Sequence, residues 1–478
     1  MKKITIDPIT RLEGHGKIEI FLDEQGNVQS SYLQIPELRG FEKFCEGRLA
    51  EDMPQLTSRI CGVCPVAHHF ASTKALDMAF GVEPTSTAKK LRELMYCGYI
   101  IYDHILHFYF LAAPDFVVGP AVKPSERNII GIINKLGVEI GKEVIKHRAF
   151  GQKITEILGG KATHPVCGLP GGISKGLTEE ERIKIEKMLV SCLEFSKTTL
   201  KLFEQLVLSN EKYKSLVTGD VYKLETYYMG LVDDKNQLNF YDGKIRVVTP
   251  DGKEFVKFSP ANYLDIISER VESWTYSKMT YLKKLGHESG TYKVGALARL
   301  NVSDKIATPL AAAEFTQMYK FFGRKPVHNS LAYHWSRIVE LLYASERGLE
   351  LVRDKEITSP NLRNSSEKNP GEGIGIVEAA RGTLIHHYKL TKDGLIEKLN
   401  LIVPTTSNSA AINSTINIAA KNLIKNGEVS EGLLNMVEMA YRAYDPCFAC
   451  ATHLFGERTS LTINIYDSRK KLIKKITK

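Results

Sequence analysis

Two pairs of cysteines, one near each end of the chain, have the spacing of metal-binding residues. Cys61 and Cys64 lie in RICGVC, and Cys447 and Cys450 lie in DPCFAC. A CxxC pair places two thiolates close enough to hold one soft metal ion, and two pairs complete a shell of four sulfur ligands. Structural zinc usually takes its cysteines from a short segment, whereas most of the 478 residues separate these pairs. We therefore expect a buried metal site that the fold assembles from both ends, with structural zinc as the alternative.

Further motifs accompany the cysteine pairs along nearly the whole chain. In chain order they are DPITRLEGHG, ELRGFEKFCEGR, TSRICGVCPVAHH, DHILHFYFL, HPVCGLPGG, VGALARLN, EAARGTLIHHY, VPTTSN and AYDPCFACATH. From about Ile4 to His453, these motifs and their order resemble the large, catalytic subunit of nickel–iron hydrogenases. RxCGxCxxxH together with DPCxxCxxH is a highly specific signature. The resemblance implies an enzyme that cleaves or forms H2 heterolytically at a buried metal pair.

The resemblance assigns the four paired cysteines to a nickel–iron centre. Cys61 and Cys447 match terminal ligands of nickel, and Cys64 and Cys450 match thiolates that bridge nickel and iron. Soft sulfur donors suit these metals. Carbon monoxide and cyanide on the iron are implied by the resemblance alone.

Other residues match the surroundings of that centre. His68 matches a histidine that hydrogen-bonds a bridging sulfur, a contact that tunes a metal–thiolate site. Pro404 and Thr405 match the lining around the iron's diatomic ligands, with Thr405 as a donor to one cyanide. Glu42 and His453 match ligands of a second, hard cation, usually magnesium, which prefers oxygen donors and water.

The resemblance also implies charged side chains that take part in catalysis. Glu13 matches a carboxylate that takes the proton onward from the metal site; without its motif it reads as an ordinary surface glutamate. Arg381 matches a guanidinium beside the open face of the metal pair, where a planar, always charged donor can orient a small substrate. Asp103 and Asp445 match carboxylates near that arginine, and buried charges need such partners.

Composition excludes several function classes. The net charge of +9 comes from 64 basic and 55 acidic residues that are scattered, so nucleic-acid binding is not expected. Eight cysteines in 478 residues do not form a disulfide framework. No apolar run approaches the roughly 20 residues that cross a bilayer, and no secretory signal is recognised. We expect a cytoplasmic protein without a membrane span.

Hydrophobic periodicity predicts an α+β fold, mainly helical, with long central helices and small peripheral sheets in one large unit. Strand patterns occur at 3–35 and 226–260, in a hairpin at 375–403 with its turn at TKDG, and in the tail SLTINIYDSRKKLIKKI. A T-x-x-E capping box at Thr178 opens a long helix. The other predicted helices span 87–113, 309–351, 408–425 and 429–443. His104 and His107, on the first of these, are expected to hydrogen-bond within the core.

The domain prediction is a single hydrogenase unit at 1–453 with a β-rich insert at about 226–260. Residues 454–478 resemble a C-terminal extension that the family removes on maturation; the alternative is a retained pair of packed or partner-binding strands.

The single cysteines outside the pairs offer no iron–sulfur site, so electrons must leave through another protein. The resemblance implies a small subunit with iron–sulfur clusters. It also implies heterodisulfide reductase and an electron-transfer subunit, as in the viologen-reducing hydrogenases of methanogens. A deazaflavin-reducing hydrogenase is the second reading. A quinone-module subunit related to complex I, which lacks the four cysteines, and a zinc-stabilised structural protein are the non-hydrogenase alternatives.

Overall fold

A computed structural model of the chain describes residues 2–366, 369–453, 462–466 and 472–477. These residues are mainly helical with small sheets, as predicted. The α-helices are α1 (Phe41–Cys45), α2 (Met53–Ser58), α3 (Pro65–Ala79), α4 (Ser86–Leu106), α5 (Ala113–Val117), α6 (Ile129–Leu136), α7 (Val138–Gly159), α8 (Glu179–Phe203), α9 (Glu211–Thr218), α10 (Tyr263–Ile266), α11 (Gly286–Ser289), α12 (Ala296–Val302), α13 (Pro309–Phe322), α14 (Ala332–Val352), α15 (Pro404–Leu423) and α16 (Glu431–Arg442).

The strands form small antiparallel sheets, apart from the parallel pairing of β11 with β6. They are β1 (Lys2–Ile6), β2 (Lys17–Leu22), β3 (Val28–Gln34), β4 (Gly168–Leu169), β5 (Gly172–Ile173), β6 (Tyr227–Val232), β7 (Lys244–Val248), β8 (Glu254–Phe258), β9 (Ile267–Glu272), β10 (Thr275–Leu282), β11 (Tyr292–Lys293), β12 (Glu372–Ala379), β13 (Gly382–Leu390), β14 (Ile396–Ile402), β15 (Thr462–Tyr466) and β16 (Leu472–Thr477). The strand patterns predicted at 3–35 and 226–260 correspond to β1–β3 and β6–β8.

Four long helices form the centre of the molecule. Helix α14 packs against α4 and α8, and α7 packs against both of those. The apolar side chains of α14 are buried on nearly every side, which is why it lies innermost. Helices α4 and α7 approach closely at Gly98 and Gly151, since a Cβ on Gly151 would lie 2.7 Å from the Gly98 carbonyl oxygen. The capping box at Thr178 begins α8, as predicted.

Two predicted elements differ in detail from the structure. The helical pattern at 309–351 divides into α13 and α14, because Gly323 ends α13 in the left-handed region at φ 62°. The pattern at 375–403 contains three strands rather than one hairpin. Its additional tight turn holds Ala380 and Arg381, so the turn presents a predicted site residue.

One large hydrophobic cluster joins side chains from Ile9 to Ala451 and includes both cysteine pairs. This cluster agrees with one large unit. Within the part of the chain that the structure describes, no helix is long and apolar enough to cross a bilayer.

Candidate metal centre

The fold brings the four paired cysteines to one point. Cys61 follows α2 and Cys64 directly precedes α3, while Cys447 and Cys450 follow α16. Their Sγ atoms all lie within 4.8 Å of one another, with 3.4 Å between Cys61 and Cys447 and 3.6 Å between Cys64 and Cys450. All four thiols are buried and no disulfide joins them. Hydrogen bonds from the other three thiols lower the pKa of Cys61 well below its usual value.

This donor set fits a soft metal centre. Four convergent sulfurs on two distant segments match thiolate-binding metals, and a hard cation would need oxygen donors that this cluster lacks. The other cysteines (Cys45, Cys97, Cys167 and Cys192) are buried one by one, and burial raises the pKa of each thiol. Among the cysteines that the structure describes, only the paired ones therefore have the arrangement of metal ligands.

Glu13 lies directly against the thiol cluster. The thiol of Cys447 donates a hydrogen bond to Glu13 Oε2 at 2.8 Å, and the backbone N–H of Ala449 donates to the same oxygen at 3.2 Å. The two segments also pair through their backbones as an isolated bridge between Glu13 and Cys447. Burial, followed by the charge of Cys61, raises the pKa of Glu13. A proton can therefore pass between this carboxyl and a thiolate sulfur.

Arg381 forms a buried charge cluster with the two predicted aspartates. Its Nη1 donates to Asp103 Oδ2 at 3.1 Å, and its Nη2 lies 3.0 Å from Asp445 Oδ2. Burial lowers the pKa of Arg381, but the two carboxylates and then the thiolates Cys447 and Cys64 raise it above the usual value. Burial raises the pKa of Asp445 to about 7. The cluster is not saturated, because Arg381 Nε and Asp103 Oδ1 are buried without a hydrogen-bond partner among the described residues.

His68 begins a buried hydrogen-bonded chain that the motifs did not reveal. His68 Nδ1 lies 3.1 Å from His386 Nε2, His386 Nδ1 lies 2.7 Å from the Tyr388 hydroxyl, and that hydroxyl donates to Ser72 Oγ at 2.9 Å. Burial lowers the pKa of His68 to about 4, so the ring is neutral near pH 7. Residues 386 and 388 are two positions apart in β13, so their side chains lie on the same face of the strand. This spacing is the sequence signal that relates His386 to Tyr388.

Pro404 and Thr405 begin α15 beside the second cysteine pair. Pro404 occupies the first position of that helix, where its fixed φ is favourable. The Thr405 hydroxyl oxygen accepts a hydrogen bond from the Cys447 backbone N–H at 2.9 Å, which leaves the hydroxyl proton available for donation.

Glu42 and His453 lie side by side although they come from opposite ends of the sequence. The Glu42 backbone N–H donates to the His453 carbonyl oxygen at 3.3 Å. Glu42 Oε1 accepts from the Leu401 N–H at 2.9 Å, and Lys278 Nζ lies 3.7 Å from the same oxygen. Both ring nitrogens of His453 are buried and have no partner among the described residues. A carboxylate beside an unpartnered imidazole fits a cation site; Lys278 is the neighbour that sequence reasoning missed.

The structure thus brings the predicted site residues together around the thiols and around the pair formed by Glu42 and His453. His104 and His107 are core histidines, as predicted, since His104 Nε2 lies 2.8 Å from Glu340 Oε2 and His107 Nε2 lies 2.9 Å from the Arg442 carbonyl oxygen.

A family profile described as nickel-dependent hydrogenase matches residues 39–125 and 215–453, and one described as HoxL-like matches residues 3–38. The chain belongs to the nickel-dependent hydrogenase family. Members of this family are hydrogenases, so the protein is a hydrogen oxidoreductase and the catalytic subunit of a nickel–iron hydrogenase.

Relatives refine the assignment. The chain is 49% identical to an F420-non-reducing hydrogenase iron-sulfur subunit of Archaeoglobus profundus, over 100% of this chain and 99% of that protein. It is 40% identical to an F420-non-reducing hydrogenase subunit of Methanothermobacter thermautotrophicus, over 100% of both chains. A crystal structure of an NAD+-reducing [NiFe]-hydrogenase in the H2-reduced state superimposes with a TM-score of 0.90 and 37% identity, over 95% of this chain and 100% of that one.

These similarities confirm the predicted resemblance to the viologen-reducing, F420-non-reducing type. The deazaflavin-reducing alternative is not favoured. The zinc-stabilised and quinone-module readings are superseded by membership in the hydrogenase family.

Proposed function

We propose that Cys61, Cys64, Cys447 and Cys450 ligate the nickel–iron pair at which this protein cleaves or forms H2. The observation that carries the proposal is the convergence of four buried sulfurs from the two ends of the chain. Cys61 and Cys447 are proposed as terminal ligands of nickel, and Cys64 and Cys450 as bridging ligands. When bound, the metal pair supplies the electron-pair acceptor for heterolytic cleavage, and its iron is proposed to carry carbon monoxide and cyanide.

Glu13 is proposed as the first proton carrier. Its Oε2 accepts a hydrogen bond from the Cys447 thiol, so a proton on that sulfur has a carboxylate acceptor at 2.8 Å. The direction of the pKa shift supports this role, because burial raises the pKa of Glu13 and so makes the carboxyl group a better proton acceptor than an exposed glutamate.

Arg381, with Asp103 and Asp445, is proposed to orient the reacting hydrogen species. The guanidinium is fixed by carboxylates on two sides and keeps Nε free of protein partners among the described residues. A preorganised charge in a buried site stabilises developing charge without reorganisation. His68, with Nδ1 committed to His386, is proposed to use Nε2 toward a bridging sulfur, and Thr405 its free proton toward a cyanide.

Magnesium is proposed at Glu42 and His453. The unpartnered imidazole beside the Glu42 carboxylate supports a bound ion there. The nearby ammonium of Lys278 is closer to Glu269, at 2.6 Å, than to Glu42, at 3.7 Å, so Glu269 offsets its positive charge. Removing the metal with a chelator and measuring bound magnesium by elemental analysis tests this site.

A small subunit with iron–sulfur clusters is proposed as the immediate electron partner. Among the described residues, the paired cysteines form the one group of three or more cysteine, histidine or carboxylate ligands, and the other cysteines form no such group. This arrangement supports electron transfer through iron–sulfur clusters of another chain. Heterodisulfide reductase and an electron-transfer subunit are proposed further along the route, and the cytoplasm as the location.

The unit at 1–453 and removal of 454–478 on maturation remain proposals. Part of the extension forms the antiparallel pair β15–β16, as the strand pattern predicted, while residues 454–461, 467–471 and 478 lie outside the described residues. The intact mass of active protein tests this: a C-terminus at His453 establishes removal, and one at Lys478 refutes it.

Elemental analysis combined with infrared spectroscopy tests the central proposal. Purified protein is expected to contain nickel and iron in equal amounts and to show bands from metal-bound carbon monoxide and cyanide. Zinc alone, without those bands, would contradict it.

A further inference from the structure

Arg381 does not lie on a helix or strand but in the two-residue turn between β12 and β13. Ala379 pairs with Gly382 across this turn, which leaves Ala380 and Arg381 at its tip. Gly382 adopts φ 131°, and a Cβ there would lie 2.4 Å from Val294 Cγ2. The turn is buried, and neighbouring side chains hydrogen-bond to its backbone. These backbone contacts fix the point from which the Arg381 side chain reaches its two carboxylate partners.

Arg299, on α12, supplies two of these contacts from below the turn. Its Nη1 donates to the Ala379 carbonyl oxygen at 2.8 Å, and its Nη2 donates to the Ala380 carbonyl oxygen at 3.2 Å. Arg299 does not pair with Asp103 or Asp445. It thus contacts the peptide units that precede Arg381 but neither of that residue's carboxylate partners.

The Arg299 guanidinium is itself held rigidly by two carboxylates. Glu340 accepts from Nε at 2.6 Å and from Nη2 at 2.7 Å, and Glu378 accepts from Nη1 at 2.8 Å. With the two carbonyl contacts, all five N–H hydrogens of Arg299 have a partner. A side chain that is fully buried and fully hydrogen-bonded has one orientation, which it transmits to the turn.

The same network reaches the helix that carries Asp103. Glu340 Oε2 also lies 2.8 Å from His104 Nε2, and His104 directly follows Asp103 on α4. From the same helix, the Tyr99 hydroxyl oxygen accepts a hydrogen bond from the Ala380 N–H at 3.0 Å. The guanidinium of Arg381 and its partner Asp103 are therefore located by one connected set of buried groups.

We propose that Arg299 is a positioning residue for Arg381: its guanidinium clamps the carbonyl groups of Ala379 and Ala380, so that the turn holds Arg381 between Asp103 and Asp445 at the thiol cluster. This inference rests on the catalytic role proposed above for Arg381. It predicts that the planar fork of Arg299, rather than its charge alone, sustains the reaction, because a lysine offers three donors from one point and cannot span two carbonyls and a carboxylate.

Arg299→Lys tests the proposal, with Arg92→Lys as the matched control. Arg92 is also fully buried, pairs with Asp77 at 2.6 and 3.2 Å, and donates to the backbone carbonyls of Leu169 and Gly172, but it does not contact the turn. Both variants replace a buried, planar guanidinium group with the single ammonium group of lysine. Only Arg299→Lys is expected to loosen the turn.

Three readouts on purified holoenzyme are expected to separate the variants. Exchange of H2 with D2O, per nickel bound, falls about 10- to 100-fold in Arg299→Lys, the loss typical of slight misplacement of a reacting group. In the same variant, backbone amides at 380–383 gain faster hydrogen exchange. Arg92→Lys keeps both values near those of the parent. In an Arg381→Lys background, adding Arg299→Lys causes little further loss, because the group being positioned is already absent.

Equal losses in Arg299→Lys and Arg92→Lys, or fully multiplicative losses in the double variant, would overturn the proposal. If Arg299→Lys fails to take up nickel, Glu378→Gln replaces it, because it weakens the same set of contacts. This variant must show faster hydrogen exchange at the backbone amides of the turn and slower exchange of H2 with D2O per nickel. Values like those of the parent would refute the proposal. An Arg381→Lys variant with the parent's rate would refute the role of Arg381 itself. An impaired Arg381→Lys beside an unimpaired Arg299→Lys would refute only the role of Arg299.

Discussion

The two buried arginine clusters around the β12–β13 turn differ in how completely their polar atoms are satisfied. Arg299 has a protein partner for every N–H hydrogen, and each carboxylate oxygen of its partners Glu340 and Glu378 also has a protein partner. In the Arg381 cluster, by contrast, the N–H of Arg381 Nε and the oxygen Oδ1 of Asp103 are buried and have no hydrogen-bond partner among the described residues. A buried polar atom without a partner is costly, so its presence beside four thiols indicates a place kept for bound species.

The comparison teaches that burial and charge alone do not distinguish the arginine proposed for catalysis from one with a structural role. Both guanidiniums are fully enclosed, and both pair with two carboxylates. What separates them is the unfilled bonding capacity of the Arg381 cluster and its position beside Cys64 and Cys447. Substitutions at the two clusters and at the thiols test this difference. Their expected effects range from complete loss of activity to a small change in the pH dependence of stability.

Cys450→Ser is expected to abolish activity, because Cys450 is proposed as a bridging thiolate and a hydroxyl does not replace a thiolate for soft metals. Elemental analysis should find little nickel or iron. Cys192→Ser is the matched control, since Cys192 is an equally buried thiol outside the four-thiol cluster, and it should retain both metals. Full H2 uptake with normal metal content in Cys450→Ser would show that the ligand assignment is wrong.

Glu13→Gln keeps the size and the hydrogen bonds of the side chain but cannot carry a proton. We expect about 10²- to 10⁴-fold slower H2/D2O exchange with unchanged infrared bands. Glu24→Gln, in the exposed turn between β2 and β3, serves as the control. Exchange close to the parent's rate would exclude Glu13 from the proton route.

Arg381→Lys keeps a positive charge but loses the planar donor set. About 10²- to 10³-fold lower turnover is expected at unchanged nickel and iron content. Turnover and metal content are measured on the same preparation. A fall in metal content that accounts for the lost rate would make this arginine a structural residue and remove the contrast with Arg299.

Glu340→Gln acts on the saturated cluster, and we expect it to lower stability. Arg299 holds the pKa of Glu340 at about 2 against the opposing effect of burial, so the carboxylate is a strong partner for that charge. Removing it costs about 3–5 kcal/mol, the range for breaking one side of a buried ion pair. Denaturation midpoints measure this, with Glu194→Gln as the control, since its exposed ion pair with Lys197 contributes little. Equal midpoints would show that the network is not structural.

Lys293 provides the smallest expected effect. It is a buried lysine with no carboxylate partner among the described residues, and its Nζ donates to the carbonyl oxygens of Leu224 and His328, both at 3.1 Å. Burial lowers the pKa of Lys293 to about 7 from 10.5. Between these pH values the unfolded chain binds the extra proton, so this group makes the free energy of unfolding rise with pH. Lys293→Met should flatten the rise of the thermal midpoint between pH 7 and 10; an unchanged slope would contradict the assignment.

Much of this protein was readable in its sequence because the informative patterns are local. The two CxxC pairs, the capping box at Thr178 and the strand patterns at 3–35 and 226–260 each depend on neighbouring residues, whose spacing sets ligand geometry or burial. The mainly helical fold and the predicted site residues followed from these patterns and from the family resemblance of the motifs.

Tertiary structure decided what depends on residues far apart in the chain. The turn that carries Arg381 lies within a segment whose pattern predicted continuous strand. Sequence spacing does not relate Arg299 to this turn, and it does not relate His386 to His68. Lys278 beside Glu42 is equally invisible in sequence. The physical reason is that a buried charge or imidazole is defined by whichever group packs against it, and packing brings together residues that no local pattern relates.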